Sequence, residues 1–134
     1  MSGLVENAMK LAELFRNWKE VEDYGAQTVL YSPEDSTDLL YFILSGEIEL
    51  TLHGETLSTE GAGGIIGEMA MIPSAKQSVT ATTLTEVKLA RINRDQLKEL
   101  VRDDTEFSLH VMVSMANRLR AVDKHISKYF EQIC

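Results

Sequence analysis

The sequence predicts a mainly β domain, a sandwich or barrel of short strands, closed by a helical segment at its C-terminal end. Three observations carry this. β-branched and aromatic runs recur between turn residues at intervals of roughly eight to twelve residues over about residues 20–92. One run, Glu47-Ile48-Glu49-Leu50-Thr51-Leu52, alternates polar and apolar side chains as a half-buried strand does. After Asn93 the apolar spacing changes to three and four, the period of a helix.

From the N-terminus, Leu4, Val5, Ala8, Leu11, Ala12 and Phe15 share one face of a short docking helix. Thr28-Val29-Leu30-Tyr31 reads as a strand, and Ser32-Pro33-Glu34-Asp35-Ser36 as turn chemistry. Leu39 to Leu44 is apolar on both faces, so it should be covered on both sides. In the alternating strand Ile48, Leu50 and Leu52 point inward, and His53-Gly54 closes a hairpin because glycine tolerates positive φ. Gly61-Ala62-Gly63-Gly64 is too rich in glycine for a regular element. Ser78 to Thr82, and Val87 with Leu89 up to Ile92, complete the strands.

Asn93 followed by Gln96 has the pattern of a capping box, which predicts a helix from Arg94 to about Val101. Asp103-Asp104-Thr105 offers a second N-cap, for a helix from about Thr105 to Phe130. Along it Met112, Met115, Leu119, Val122, Ile126 and Tyr129 follow a heptad spacing. This face either packs on the barrel or forms a dimer seam, with Phe107, Val111 and Ala121 flanking it.

The 134 residues suit a single domain, divided into an N-terminal helix region (1–19), a β portion (20–92) and C-terminal helices (93–134). Thirteen basic against twenty-one acidic residues give a net charge of −8, which disfavours nucleic acid as a direct partner. The lone cysteine, Cys134, forms neither an intrachain disulfide nor a cysteine metal cluster, in keeping with a reducing, cytoplasmic setting. No apolar run reaches membrane-spanning length, so no membrane partner is expected. His53, His110 and His125 are far apart and form no His-x-His pair. No nucleophile–base spacing stands out either, and neither an enzyme nor a metal site is expected.

Tyr41-Phe42-Ile43-Leu44-Ser45-Gly46-Glu47-Ile48, the hairpin, the glycine-rich turn and Gly67-Glu68-Met69-Ala70-Met71 together resemble the cyclic-nucleotide-binding domain family. In particular they resemble the sensor half of catabolite-activator and FNR-type bacterial regulators. The likeness runs from about Leu14 to Ile126 and includes Met115-Ala116-Asn117-Arg118-Leu119 in the long helix. It implies an eight-stranded β-roll, a jelly-roll-like double-stranded β-helix, with a short N-terminal and a long C-terminal helix. It also implies a regulatory module that holds a cyclic nucleotide or another small anion in a short cassette, with no other cofactor.

The resemblance places ligand contacts at Gly67, Glu68, Met69, Ala70, Gln77, Ser78, Arg118 and Val122. Glu68 stands where the family's glutamate accepts a ribose hydroxyl, a match of acceptor-only carboxylate to donor. Gln77 stands where the family's arginine meets the cyclic phosphate, beside Ser78 at the small hydroxyl position. Val122 replaces a threonine or serine that often contacts the base. A neutral donor in place of a charged one predicts a loss of about ten- to hundredfold in affinity. Lys76 is a poor substitute, since a strand neighbour points to the other face and lysine lacks the bidentate fork.

The expected function is therefore a regulatory sensor with a degenerate cassette, in which cAMP or cGMP binding is weak, altered or lost. The alternative is a ligand-free dimerisation or docking module working through the seam. In both, a homodimer through the long helix and a separate output protein are the expected partners. Since the sequence reaches only a few residues past that helix, the helix-turn-helix of the resembled regulators is not expected here. Arg118, Arg120, Lys124 and Lys128 are expected to form a local basic patch near the helix end, and Arg118 is alternatively expected to pair with a carboxylate on the helix or the barrel.

Overall fold

The computed structural model describes residues 10–133, with the exception of Thr37. Its first helix, α1, is seen over residues 10–14, where Leu11 and the following Phe15 are buried. Leu4, Val5 and Ala8 of the predicted docking helix lie outside the described residues.

Eight strands follow: β1 (Val21–Tyr24), β2 (Val29–Tyr31), β3 (Leu40–Ser45), β4 (Ile48–Leu52), β5 (Glu55–Glu60), β6 (Ile65–Ile66), β7 (Thr80–Thr83) and β8 (Val87–Ile92). They form two four-stranded sheets, ordered β1-β8-β3-β6 and β2-β7-β4-β5. Every ladder is antiparallel. This is the eight-stranded roll with flanking helices that the resemblance implied.

The alternation in the sequence maps onto two apolar layers. Tyr41 and Ile43 of β3 face the space between the sheets, with Ile48 and Leu50 of β4, Ala81 of β7 and Leu89 of β8. Leu40 and Phe42, on the opposite face of β3, meet Leu11, Phe15, Phe107 and Val111 from the helices. Leu39–Leu44 is apolar on both sides because its sheet is buried on both sides. Leu52, near the hairpin, is only half-buried. Both turn residues of that hairpin take positive φ, 52° at His53 and 80° at Gly54, as a two-residue connection between right-twisted strands requires.

Helix α2 (Arg94–Asp103) opens with the predicted capping box. The Asn93 side chain accepts from the Gln96 N–H at 2.8 Å, and the Asn93 N–H donates to the Gln96 side chain at 2.9 Å. The helix runs two residues beyond its predicted end. Asp104 then caps α3 (Thr105–Ile133), accepting from the Phe107 N–H at 2.9 Å. Phe107 and Val111 seat the first turns of α3 on the roll, while its later turns run past β5.

Candidate functional site

The cassette begins at the end of β6. Gly67 has φ of 80°, and a Cβ there would lie 2.9 Å from the Leu39 carbonyl oxygen, so glycine is needed both for conformation and for space. Its N–H donates to the Tyr31 hydroxyl at 2.9 Å. The chain then makes a single 3-10 turn, Glu68–Met71, closed by Ala70 N–H to Gly67 C=O at 3.0 Å. Ala70 is buried and Met69 half-buried. The Ala70 carbonyl accepts from Arg94 Nη2 at 2.7 Å, which ties the turn to the start of α2.

Glu68 is joined to α3 through Arg118. The Arg118 guanidinium donates to Glu68 Oε2 at 3.1 Å, to Glu60 Oε1 at 3.1 Å and to the Ile65 carbonyl at 2.8 Å. With only 6 % of its surface exposed, it is a buried cation held by two carboxylates and a backbone oxygen. Arginine suits this place because its rigid fork of donors serves several acceptors at once. One side chain of α3 thus fixes β5, β6 and the cassette turn together.

Tyr31 lies beneath the same turn, stacked on Tyr41 with ring centroids 6.4 Å apart. Burial pushes its hydroxyl well above the usual tyrosine range, and the Glu68 charge adds to the shift. The bond from the Gly67 N–H opposes it.

The other end of the predicted cassette is held differently. Gln77 is 3 % exposed, and its backbone bonds to the turn after β2: its N–H donates to the Asp35 carbonyl, and its carbonyl accepts from the Glu34 N–H, both at 3.1 Å. Its side-chain Nε2 is buried with no hydrogen-bond partner among the described residues. Ser78 is exposed. No hydrogen bond joins Gln77 or Ser78 to Glu68 among the described residues. Lys76 is exposed and pairs with Glu34 at 3.5 Å; it forms an isolated bridge to Ser36, and the following strand begins at Thr80 rather than at the expected Ser78.

Along α3 two expectations need correction. The heptad face does not pack on the roll as a whole: Met112, Leu119, Ile126 and Tyr129 are exposed, Leu119 by 70 %. Only Met115 packs against the apolar layer, and Val122 is half-buried. The helix meets the roll instead through Phe107, His110, Val111 and Arg118. Arg118 is consequently no part of a basic surface patch, because its guanidinium is spent on Glu60 and Glu68. Residues Arg120, Lys124 and Lys128 remain on the surface.

Two open clefts flank α3, and neither is lined by Glu68, Gln77 or Ser78. One, of about 420 Å³, runs beside Phe42, the Gly61–Gly64 turn and His110. The imidazole of His110 meets the Gly63 carbonyl through Nε2, a contact between α3 and the glycine-rich turn that spacing alone did not reveal. The other cleft, of about 770 Å³, lies between β5 and the later turns of α3. Within the described residues no helix is long and apolar enough to cross a membrane.

Residues 21–104 match the model of the cyclic nucleotide-binding domain, and the chain belongs to that family. Among curated relatives, the CRP-like cAMP-activated global transcriptional regulator of Mycobacterium tuberculosis is 24% identical over 110 residues, which are 78% of this chain and 49% of the relative. The chain therefore spans about half the length of that protein. Among solved structures, the c-di-GMP-responsive global regulator CLP of Xanthomonas campestris superposes with a TM-score of 0.75 at 22% identity, over 96% of this chain and 64% of that one. The haem domain of CooA from Carboxydothermus hydrogenoformans superposes equally well, with a TM-score of 0.75 at 16% identity, over 96% of this chain and 98% of that one. A fold shared with regulators that differ in ligand fixes the architecture and leaves the ligand to be argued from side chains.

Proposed function

We propose that this domain is a regulatory sensor of the cyclic-nucleotide type whose cassette keeps its glutamate and has lost its charged hold on phosphate. The observation that carries the reading is the contrast within one segment: Glu68 is wired to α3 through Arg118, while the Gln77 amide nitrogen has no hydrogen-bond partner among the described residues. A ligand hydroxyl at Glu68 would draw on the oxygens that Arg118 now holds. Occupancy and the seating of α3 would then be coupled, since a ligand shifts an equilibrium only through contacts that differ between its two states. The family match and the nucleotide-responsive regulators it resembles support the ligand class. Weak or absent binding of cAMP and cGMP follows from the neutral Gln77.

Calorimetry with cAMP and cGMP on the wild-type chain and on Gln77→Arg tests this. Wild type should bind weakly or not at all, and the variant should gain about ten- to hundredfold. Micromolar binding by wild type would remove the weakened cassette. Silence from both proteins would remove the nucleotide reading altogether.

A second reading is favoured by the exposed face of α3. Met112, Leu119, Ile126 and Tyr129, at heptad spacing, suit a helix-to-helix homodimer or docking surface. The two readings are compatible, because Arg118 points to the roll and Leu119 away from it. Sedimentation should show a dimer that Leu119→Glu converts to monomer. A monomeric wild type, or a dimer indifferent to the substitution, would exclude the seam.

A further inference from the structure

We propose that the cleft between β5 and the later turns of α3 is a second ligand site, built for a small, multiply phosphorylated molecule of nucleotide size. It does not rest on the cassette reading, since it shares no residue with the cassette. Its volume of about 770 Å³ falls in the range of small-molecule sites. Arg120, Lys124 and Lys128 line it at successive i, i+4 positions, so their side chains form one ladder along the helix. Among the described residues none of the three is ion-paired, although acidic residues outnumber basic ones by twenty-one to thirteen. Adjacent like charges on a helix repel, and a bound polyanion would relieve that repulsion.

Two duller explanations of the ladder fall short. Helix-dipole compensation acts within the last turn, and the last turn of α3 contains no basic residue. A nucleic-acid surface is disfavoured by the chain's net charge of −8, whose long-range field repels an extended polyanion but acts little inside a local cationic cleft. The cleft also has an apolar part. Leu57 of β5 supplies an apolar surface, and His125, beside Lys124 on α3, a flat ring whose Nδ1 lies 3.7 Å from Glu55 across the cleft. Phosphates on the ladder and a flat ring between Leu57 and His125 would satisfy both parts. Among the described residues lining the cleft Glu55 is the one carboxylate, and it should oppose binding.

The site is compatible with a helix-to-helix dimer. At 3.6 residues per turn the ladder lies roughly 140° around α3 from Leu119 and Ile126. A partner on the seam therefore leaves the cleft open.

The test is calorimetric titration of the 134-residue chain with tripolyphosphate and with ATP, at low and moderate salt. One-to-one saturable binding is expected, weakening with salt and stronger for either compound than for inorganic phosphate. Lys124→Glu combined with Lys128→Glu should lower affinity by about a hundredfold or more. Glu55→Gln should raise it. Thermal unfolding checks the charge-reversed protein, and the paired Lys→Gln substitutions serve if it does not fold. Absence of saturable binding, or indifference to charge reversal or neutralisation, would overturn the proposal. Preference for duplex DNA or for phosphatidylserine vesicles over tripolyphosphate would overturn it as well.

Discussion

Glu68 and Gln77 stand nine residues apart in one segment of chain, yet the fold treats them in opposite ways. Glu68 is held by a side chain from a distant helix: Arg118 arrives from fifty residues away and binds Glu60 and Ile65 in the same gesture. Gln77 is held only by its own backbone, pinned to Asp35 and Glu34 of a neighbouring turn, while its amide nitrogen goes unpartnered among the described residues. The first end is an electrostatic junction between elements. The second is a shaped loop with an unspent donor. Under the proposed sensor function, this difference would separate a part that transmits from a part that selects.

The sharpest way to break the contrast is to remove the junction. Arg118→Met keeps much of the side chain's volume but leaves Glu60 and Glu68, both largely buried, without their shared cation. Removing one partner of a buried ion pair costs about 3 to 5 kcal/mol. Glu68 and Glu60 retain some access to water, which places the expected loss toward the lower end. Urea denaturation followed by circular dichroism measures it. A loss below about 1 kcal/mol, the value of a surface pair, would show that Arg118 is no junction.

How much of this was legible beforehand differs between the two ends for physical reasons. The capping box at Asn93, the N-cap at Asp104 and the His53-Gly54 hairpin were readable because each depends on neighbours within a few residues. Strand β4 was readable because one of its faces is buried. Strand β5, with the sequence Glu-Thr-Leu-Ser-Thr-Glu, was not, because it is an edge strand with a single apolar residue, Leu57, and its partly buried side chains are otherwise polar, so no apolar alternation marks it. Two-residue β6 and the short edge strand β1 left no period to detect. The same limit applies at the site. Glu68 and Gln77 were found through the family's pattern, and a carboxylate partner for Arg118 on the helix or barrel was expected and is found. Which carboxylates, and how deeply the guanidinium is buried, was not legible, since arginine is ordinarily a surface residue and its partners lie far off in sequence. Counting it in the basic patch followed from reading helix neighbours without the roll beneath them.

A smaller effect tests the neighbourhood of Glu68 from below. The Tyr31 hydroxyl is raised above its ordinary value of 10.0 by burial and then by the Glu68 carboxylate. The sign follows from proton counting. With the folded value above the unfolded one, the native state keeps a proton that the unfolded chain sheds, so the contribution is intact below about pH 10 and is lost as pH rises further. Tyr24 moves in the same direction, to about 12, through burial and its bond to Glu22, so the comparison must be made against a Tyr31→Phe background. Alkaline unfolding should be shallower in that variant than in wild type. Identical profiles would mean that Tyr31 ionises freely and is not locked under the turn.

The smallest expected change lies at the other end. Gln77→Leu replaces a buried amide, which has no side-chain partner for its nitrogen among the described residues, with an apolar group of similar size. The backbone bonds to Asp35 and Glu34 do not depend on the side chain and should survive. Leaving a polar group unsatisfied costs about 1 to 3 kcal/mol, so its removal should be neutral or stabilising by about 1 kcal/mol once the loss of packing fit is included. Thermal denaturation would read this as an unchanged or slightly raised midpoint. A clear loss would mean that the amide is engaged in the folded protein, and the selecting end of the cassette would then be as firmly wired as the transmitting one. The contrast therefore turns on the sign of one substitution: a stability gain from deleting polarity marks a group kept for something other than folding.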